Sequence, residues 1–176
     1  MSAKEKHPRM QWYRMDLHLH TPASKDYQET GVDCLDILQQ AEQRSLDIIS
    51  FTDHNTVAGC RAMVDEISQL EWLEHLGRID PVESSRLREY RRLQEKILVL
   101  PGFEFTATFG FHILGVFSPE TDVRTLELLL LSLNVPLAAL DQGETNVGPT
   151  SDVLTAYAEI RRAGGIVIAA HANSNN

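Results

Sequence analysis

Asp16, His18 and His20 alternate with Leu17 and Leu19, the period-2 signature of a strand with two unlike faces. On that spacing both imidazoles point one way and both leucines the other. Thr21-Pro22 then ends the strand, because proline has no N–H to donate and restricts the residue before it. Two imidazoles side by side at a strand end suit a divalent metal ion, imidazole being the commonest protein metal ligand. A pair of surface histidines on an edge strand reads the same way, so the pair needs company. Asp53 and His54 follow a stretch read as a buried strand at 46–51, Glu104 follows Pro101-Gly102-Phe103, and His171 follows the apolar run 166–170. His112 lies among the apolar residues of 110–117. One histidine after a strand is usually structural; several strands ending in metal-binding residue types make a constellation.

The elements that must position these residues alternate along the chain. Asp33 reads as the N-cap of a helix to about 45, with Cys34, Ile37, Leu38 and Ala41 as its apolar stripe. A strand over 46–51 is followed by a helix over 57–76, with Met63, Val64, Ile67, Leu70 and Leu73 on one side. The charge-rich stretch 77–96, with Pro81 near the start of a helix, reads as a solvated insertion. Its Arg86, Arg88, Arg91 and Arg92 either face water beside interleaved glutamates or face an anionic ligand. Strands over 97–100 and 110–117 come next, then a helix over 125–133 capped by Thr121 or Asp122. Residues 134–150 form a loop longer than a compact domain usually needs, read as a lid, a binding loop or a disordered segment. Ser151 caps a last helix to Ala163, Gly164-Gly165 ends it, and a fifth strand runs into His171. Strands alternating with helices give an α/β fold with mainly parallel strands, in which ligands bind at the C-terminal strand edge.

The 176 residues suit one domain, residues 12–176, after a polar tail at 1–11. With 43% hydrophobic and 23% charged residues the composition is that of an ordinary globular chain. A net charge of −9 argues against a basic nucleic-acid groove, although bound cations reverse the local sign of a site. Cys34 and Cys60 have no CxxC spacing, which fits a reducing cytoplasm. No apolar run is long enough to span a bilayer, so no membrane partner is expected.

Four stretches resemble the polymerase and histidinol phosphatase (PHP) family of metal-dependent phosphoesterases. They are Asp-Leu-His-Leu-His-Thr at 16–21, Thr-Asp-His-Asn at 52–55, Pro-Gly-Phe-Glu-Phe at 101–105 with His112, and Ala-Ala-His-Ala at 169–172. The resemblance implies a distorted (βα)7 barrel, here incomplete, holding two or three divalent metal ions at its C-terminal edge. It implies that His18 and His20 bind a first ion and that Glu104 bridges it to a second, completed by His112 and His171. Asp26 and His54 would hold a third. Glu104, His171 and His54 would be the catalytic members, and Asp16 and Asp53 would orient neighbouring imidazoles by hydrogen bonds. The family's late Asp-x-His motif has no counterpart, and only five strands can be counted, so the expectation is a portion of a longer polypeptide.

Residue chemistry fits that function. Cations that clamp phosphoryl oxygens lower the barrier electrostatically, and a metal-activated water replaces a serine or cysteine nucleophile. Correspondingly, no Gly-x-Ser-x-Gly, P-loop or catalytic cysteine signature is present. Mixed imidazole and carboxylate ligands suit Zn, Mn or Fe. The expected substrate is a phosphate ester, either a phosphomonoester or a nucleic acid. The competing reading is a non-catalytic, metal-binding barrel within a larger nucleic-acid-processing protein. A hydrolase of non-phosphate bonds is a third, because amidohydrolases also carry His-x-His on a barrel strand.

Overall fold

A computed structural model describes residues 12–172; the tail expected at 1–11 lies outside the described residues. Five strands form one curled half-barrel sheet in the order β1-β2-β3-β4-β5: β1 Met15–Leu19, β2 Ile48–Phe51, β3 Leu98–Thr106, β4 His112–Val116 and β5 Ile166–Ala169. Five helices among the described residues pack on it: α1 Cys34–Gln43, α2 Ala58–His75, α3 Pro81–Gln94, α4 Val123–Ser132 and α5 Val153–Arg162.

Local chemistry sets the helix starts. Asp33 accepts from the backbone of Asp36 and Asp36 from that of Asp33, a reciprocal box that satisfies two otherwise unpaired donors. Asp80 and Glu83 do the same for α3, with Pro81 at its first turn, where a missing N–H costs nothing. Asp122 caps α4. The last helix is capped by Asp152 rather than Ser151, because Asp152 reaches the N–H groups of Leu154 and Thr155. Ser151 instead binds Asn134.

The core divides in two. Leu38, Ile49, Phe51, Met63, Leu70, Leu87, Tyr90 and Leu93 join α1, α2 and α3 to β2. Phe103, Phe105, Ile113, Leu126, Leu130, Ala156 and Ile160 join α4 and α5 to β3 and β4. Helix α3 is therefore not a solvated insertion: Leu87, Tyr90 and Leu93 are fully buried. Its arginines are occupied at home, Arg86 by Asp33 and Glu66, Arg91 by Glu71 and Glu74, and Arg92 by Glu42 and Glu89. Carboxylates from α1 and α2 already neutralise them, which removes the anionic-ligand reading for these three.

Three departures bear on the site. Strand β4 is antiparallel to both β3 and β5, so two of the four pairings depart from the parallel expectation. A short hairpin replaces a crossover helix there and brings His112, the first residue of β4, to the same rim as the strand C-termini. Second, β3 does not end at Pro101 but continues to Thr106. It pairs with β2 up to Pro101 and with β4 from Gly102, so the proline stands where the strand changes partner. Third, β1 advances from Asp16 to Leu19 while β2 advances from Ile49 to Phe51. That extra residue breaks the clean alternation expected of β1.

Candidate metal centre

Glu104 stands at the middle of the rim with no solvent exposure. Its Oε2 lies 2.9 Å from Nε2 of His18, 2.9 Å from Nε2 of His20 and 3.2 Å from Nδ1 of His54. Its Oε1 lies 2.8 Å from Nδ1 of His112 and 3.4 Å from Nε2 of His171. The five rings also neighbour one another in a closed cycle. Centroid separations are 5.3 Å for His18–His20, 4.4 Å for His20–His54, 5.5 Å for His54–His112, 5.9 Å for His112–His171 and 4.8 Å for His171–His18. Five of the chain's seven histidines thus surround one carboxylate. Asp26 adds a second, with Oδ2 3.3 Å from Nε2 of His54 and Oδ1 3.6 Å from Nδ1 of His20.

The electrostatics follow from burial and crowding. Burial pushes the Glu104 carboxyl up, but hydrogen bonds from His18 and His20 and the charges of His18 and His54 outweigh it, leaving it well below the usual carboxylate range. Burial pulls His20 down, yet Glu104, Asp26 and Asp53 together leave it raised. At His54 burial outweighs Glu104 and Asp26 and pulls the imidazole down from its ordinary value. A neutral imidazole offers a lone pair.

Three sets have ligand atoms mutually close enough to share an ion: His18, His20 and Glu104; His54, Glu104 and His112; and His20, Asp26 and His54. His54 Nδ1 supplies an independent test of fit. This atom is buried and aligned for a hydrogen bond with nothing among the described residues, although it faces the shared Oε2. A buried polar atom without a partner is costly, and a cation between it and the carboxylate would satisfy both. The residues present fit a divalent ion.

All seven expected ligands, His18, His20, Asp26, His54, Glu104, His112 and His171, line this one cleft. The grouping differs from the expectation at His54, which sits with Glu104 and His112 as well as with Asp26. His171, in left-handed backbone conformation at φ +54°, is the half-exposed member at the mouth. The two remaining expected residues act otherwise than expected. Asp16 accepts from the backbone N–H of His18, not from a ring, at the point where the extra residue breaks the alternation of β1. Asp53 accepts from the N–H and hydroxyl of Thr21 and the hydroxyl of Ser24, at 2.7–2.8 Å. Ser24 in turn accepts from the backbone N–H of His54, so Asp53 fixes the loop after β1 against the start of the second motif. Gly59 lets this pair seat against α2, because a Cβ there would come within 2.3 Å of both Asp53 and Thr21.

Thr145 also lines the cleft and was not singled out by its sequence. The loop carrying it is strapped down. Asn55, at φ +51°, donates to the carbonyls of Glu144 and Thr145, and Lys25 N–H donates to that of Gly143. Asn55 also takes the Thr106 N–H, so one buried amide ties β3, the strap and the His54 turn together. The unusual length of 134–150 was the only signal in the sequence.

No protein-family model and no curated protein matches the chain. Among solved structures it is similar to a candidate metal-dependent phosphoesterase from Bifidobacterium adolescentis, at 20% identity and TM-score 0.53, covering 92% of this chain and 68% of that one. It is also similar to an amidohydrolase from Chromobacterium violaceum solved with bound sulfate and no metal, at 14% identity and TM-score 0.53, covering 93% and 69%. The likeness is one of fold. The site itself is a half-barrel rim whose histidine, aspartate and glutamate side chains could hold a metal ion. No described helix is long and apolar enough to cross a membrane.

Proposed function

We propose that this chain is a metal-dependent hydrolase of phosphate esters, of the PHP kind, working with two or three divalent ions such as Zn, Mn or Fe. One observation carries the proposal: a closed ring of five imidazoles around a single buried carboxylate, with a second carboxylate beside it. Ions bound there would supply Lewis acidity toward phosphoryl oxygens and an activated water. The chain's own residues do the rest. Glu104 brings the negative charge that lets several cationic centres stand close together. His54, pulled down from its ordinary value by burial, turns its Nδ1 toward Glu104. His171, half-exposed at the mouth of the cleft, would be open to an incoming substrate.

The phosphoester assignment rests on the Thr-Asp-His element at 52–54 and on Glu104, which suit that family better than an amide hydrolase. The test begins with metal-free protein reconstituted with each ion in turn. Metal per chain, melting temperature and hydrolysis of a phosphomonoester, a phosphodiester and an amide are then measured. Two or more ions per chain, a higher melting temperature and phosphoester turnover support the proposal; an ion at 100 times its Kd adds roughly 2.7 kcal/mol to the folded state. Metal uptake without turnover would establish the non-catalytic barrel instead. Failure to bind any ion would overturn both.

A further inference from the structure

A second cavity, of about 470 Å³, opens beside the metal centre and shares His112 and Thr145 with it. One wall is the β3–β4 hairpin, with Thr106, Thr108 and Phe109; the other is the strap, with Asn146, Pro149 and Thr150. Thr150 donates to the Thr106 carbonyl at 2.6 Å and Asn55 Nδ2 donates to the Thr106 hydroxyl at 3.1 Å, so the walls are tied together. Its size is that of a small-molecule site.

Apart from His112, the lining carries no ionisable side chain. It offers hydroxyls and an amide around small apolar surfaces. Phe109 stands at the rim 97% exposed and in left-handed backbone conformation at φ +64°, which a bulky residue rarely adopts. Strained backbone of this kind collects at ligand-binding sites. An exposed aromatic face at the rim of a neutral, mostly apolar pocket with a few hydroxyls and an amide suits a flat ring with a few hydrogen-bonding groups. A nucleic-acid strand would require a basic track for its successive phosphates. Neither cleft has Lys or Arg in its lining, and the chain carries −9.

We infer that this cavity is the leaving-group subsite of the hydrolase. It holds the neutral, ring-bearing alcohol of a phosphomonoester while the phosphate lies against the metal centre. The inference rests on the phosphoester reading and narrows it to monoesters.

The test uses metal-loaded protein with an aryl phosphate, methyl phosphate and a single-stranded oligonucleotide. Phe109→Ala removes the exposed ring, and Thr108→Trp fills the cavity; metal per chain is measured for each. The expected result is a five- to tenfold rise in KM for the aryl phosphate in both variants, with methyl phosphate changed less than twofold and metal unchanged. The oligonucleotide is expected to be hydrolysed at least a hundredfold less efficiently than the aryl ester. Equal effects of both variants on both monoesters, no effect on either, or preference for the oligonucleotide would overturn the subsite. Wild-type protein that binds metal and turns over none of the three would instead remove the phosphoester reading itself.

Discussion

Replacing Glu104 by Gln keeps the shape of the hub and removes its charge. Without metal, three imidazole contacts of 2.8–2.9 Å lose their ionic character. Hydrogen bonds to a charged group are worth about 1.5–3 kcal/mol each, but the buried carboxylate also loses a desolvation cost of several kcal/mol, so a net destabilisation of about 2 kcal/mol is expected. With metal the loss is larger. A unit charge 4 Å from another at an effective dielectric of 20 contributes about 4 kcal/mol, close to three decades in affinity. Even if desolvation returns a good part of this, both groups containing Glu104 should weaken at least about a hundredfold together. His18→Ala, present in only one of the three groups, should lower the metal content by one ion and leave the others. Metal per chain by elemental analysis and affinity by calorimetry separate the variants. Glu104→Gln retaining full stoichiometry, with affinity within threefold of wild type, would refute the assignment of Glu104 as the shared ligand.

Three further outcomes follow from other parts of the molecule. The folded-state pKa of His20 is raised above 6.5, so its stabilising contribution is complete below that pH and fades as pH rises through the folded value. In chelator, urea midpoints of wild type and His20→Gln should therefore converge as pH rises above about 6.5, and a gap that widens there would contradict the sign. Gly143→Ala should cost about 1–2 kcal/mol for left-handed backbone alone. It should also detach the strap, since its Cβ would lie 1.8 Å from the Ala23 carbonyl oxygen; a melting temperature equal to wild type would show that the strap is not seated there. Burial pushes the thiols of Cys34 and Cys60 up to about 12, so a disulfide reagent at pH 8 should label them only as the protein unfolds.

Residue types and local chemistry made much of this legible. Asp33 and Asp122 announced their helices because an N-cap acts through its own side chain on the next turn. The candidate ligands His18, His20, His54, Glu104 and His171 were visible because imidazoles and carboxylates at strand ends have no packing role, whereas Asp26 entered only through the family resemblance. The rest depends on partners distant in sequence. Helix α3 reads as solvated until the glutamates of α1 and α2 account for its arginines and its Leu87, Tyr90 and Leu93 meet the core. Asp53 was read as touching an imidazole, but its acceptor oxygens are taken by Thr21 and Ser24, which only the folded loop brings near. Thr145 has no chemical signature, and its place is decided by Asn55.

The reversal of β4 gives the centre two halves of unequal topological distance. Glu104 and His112 are eight residues apart and meet through one hairpin, whereas His18 must return across 86 residues to reach the same carboxylate. Loop-closure entropy grows as 1.5RT times the logarithm of loop length, so the longer contact costs roughly 2 kcal/mol more to close. The hairpin is thus the part of the site able to form first and on its own contacts. An ion captured by Glu104 and His112 would then act as a template on which β1 is recruited last, making metal availability during folding, and not only afterwards, a determinant of how much functional protein is obtained.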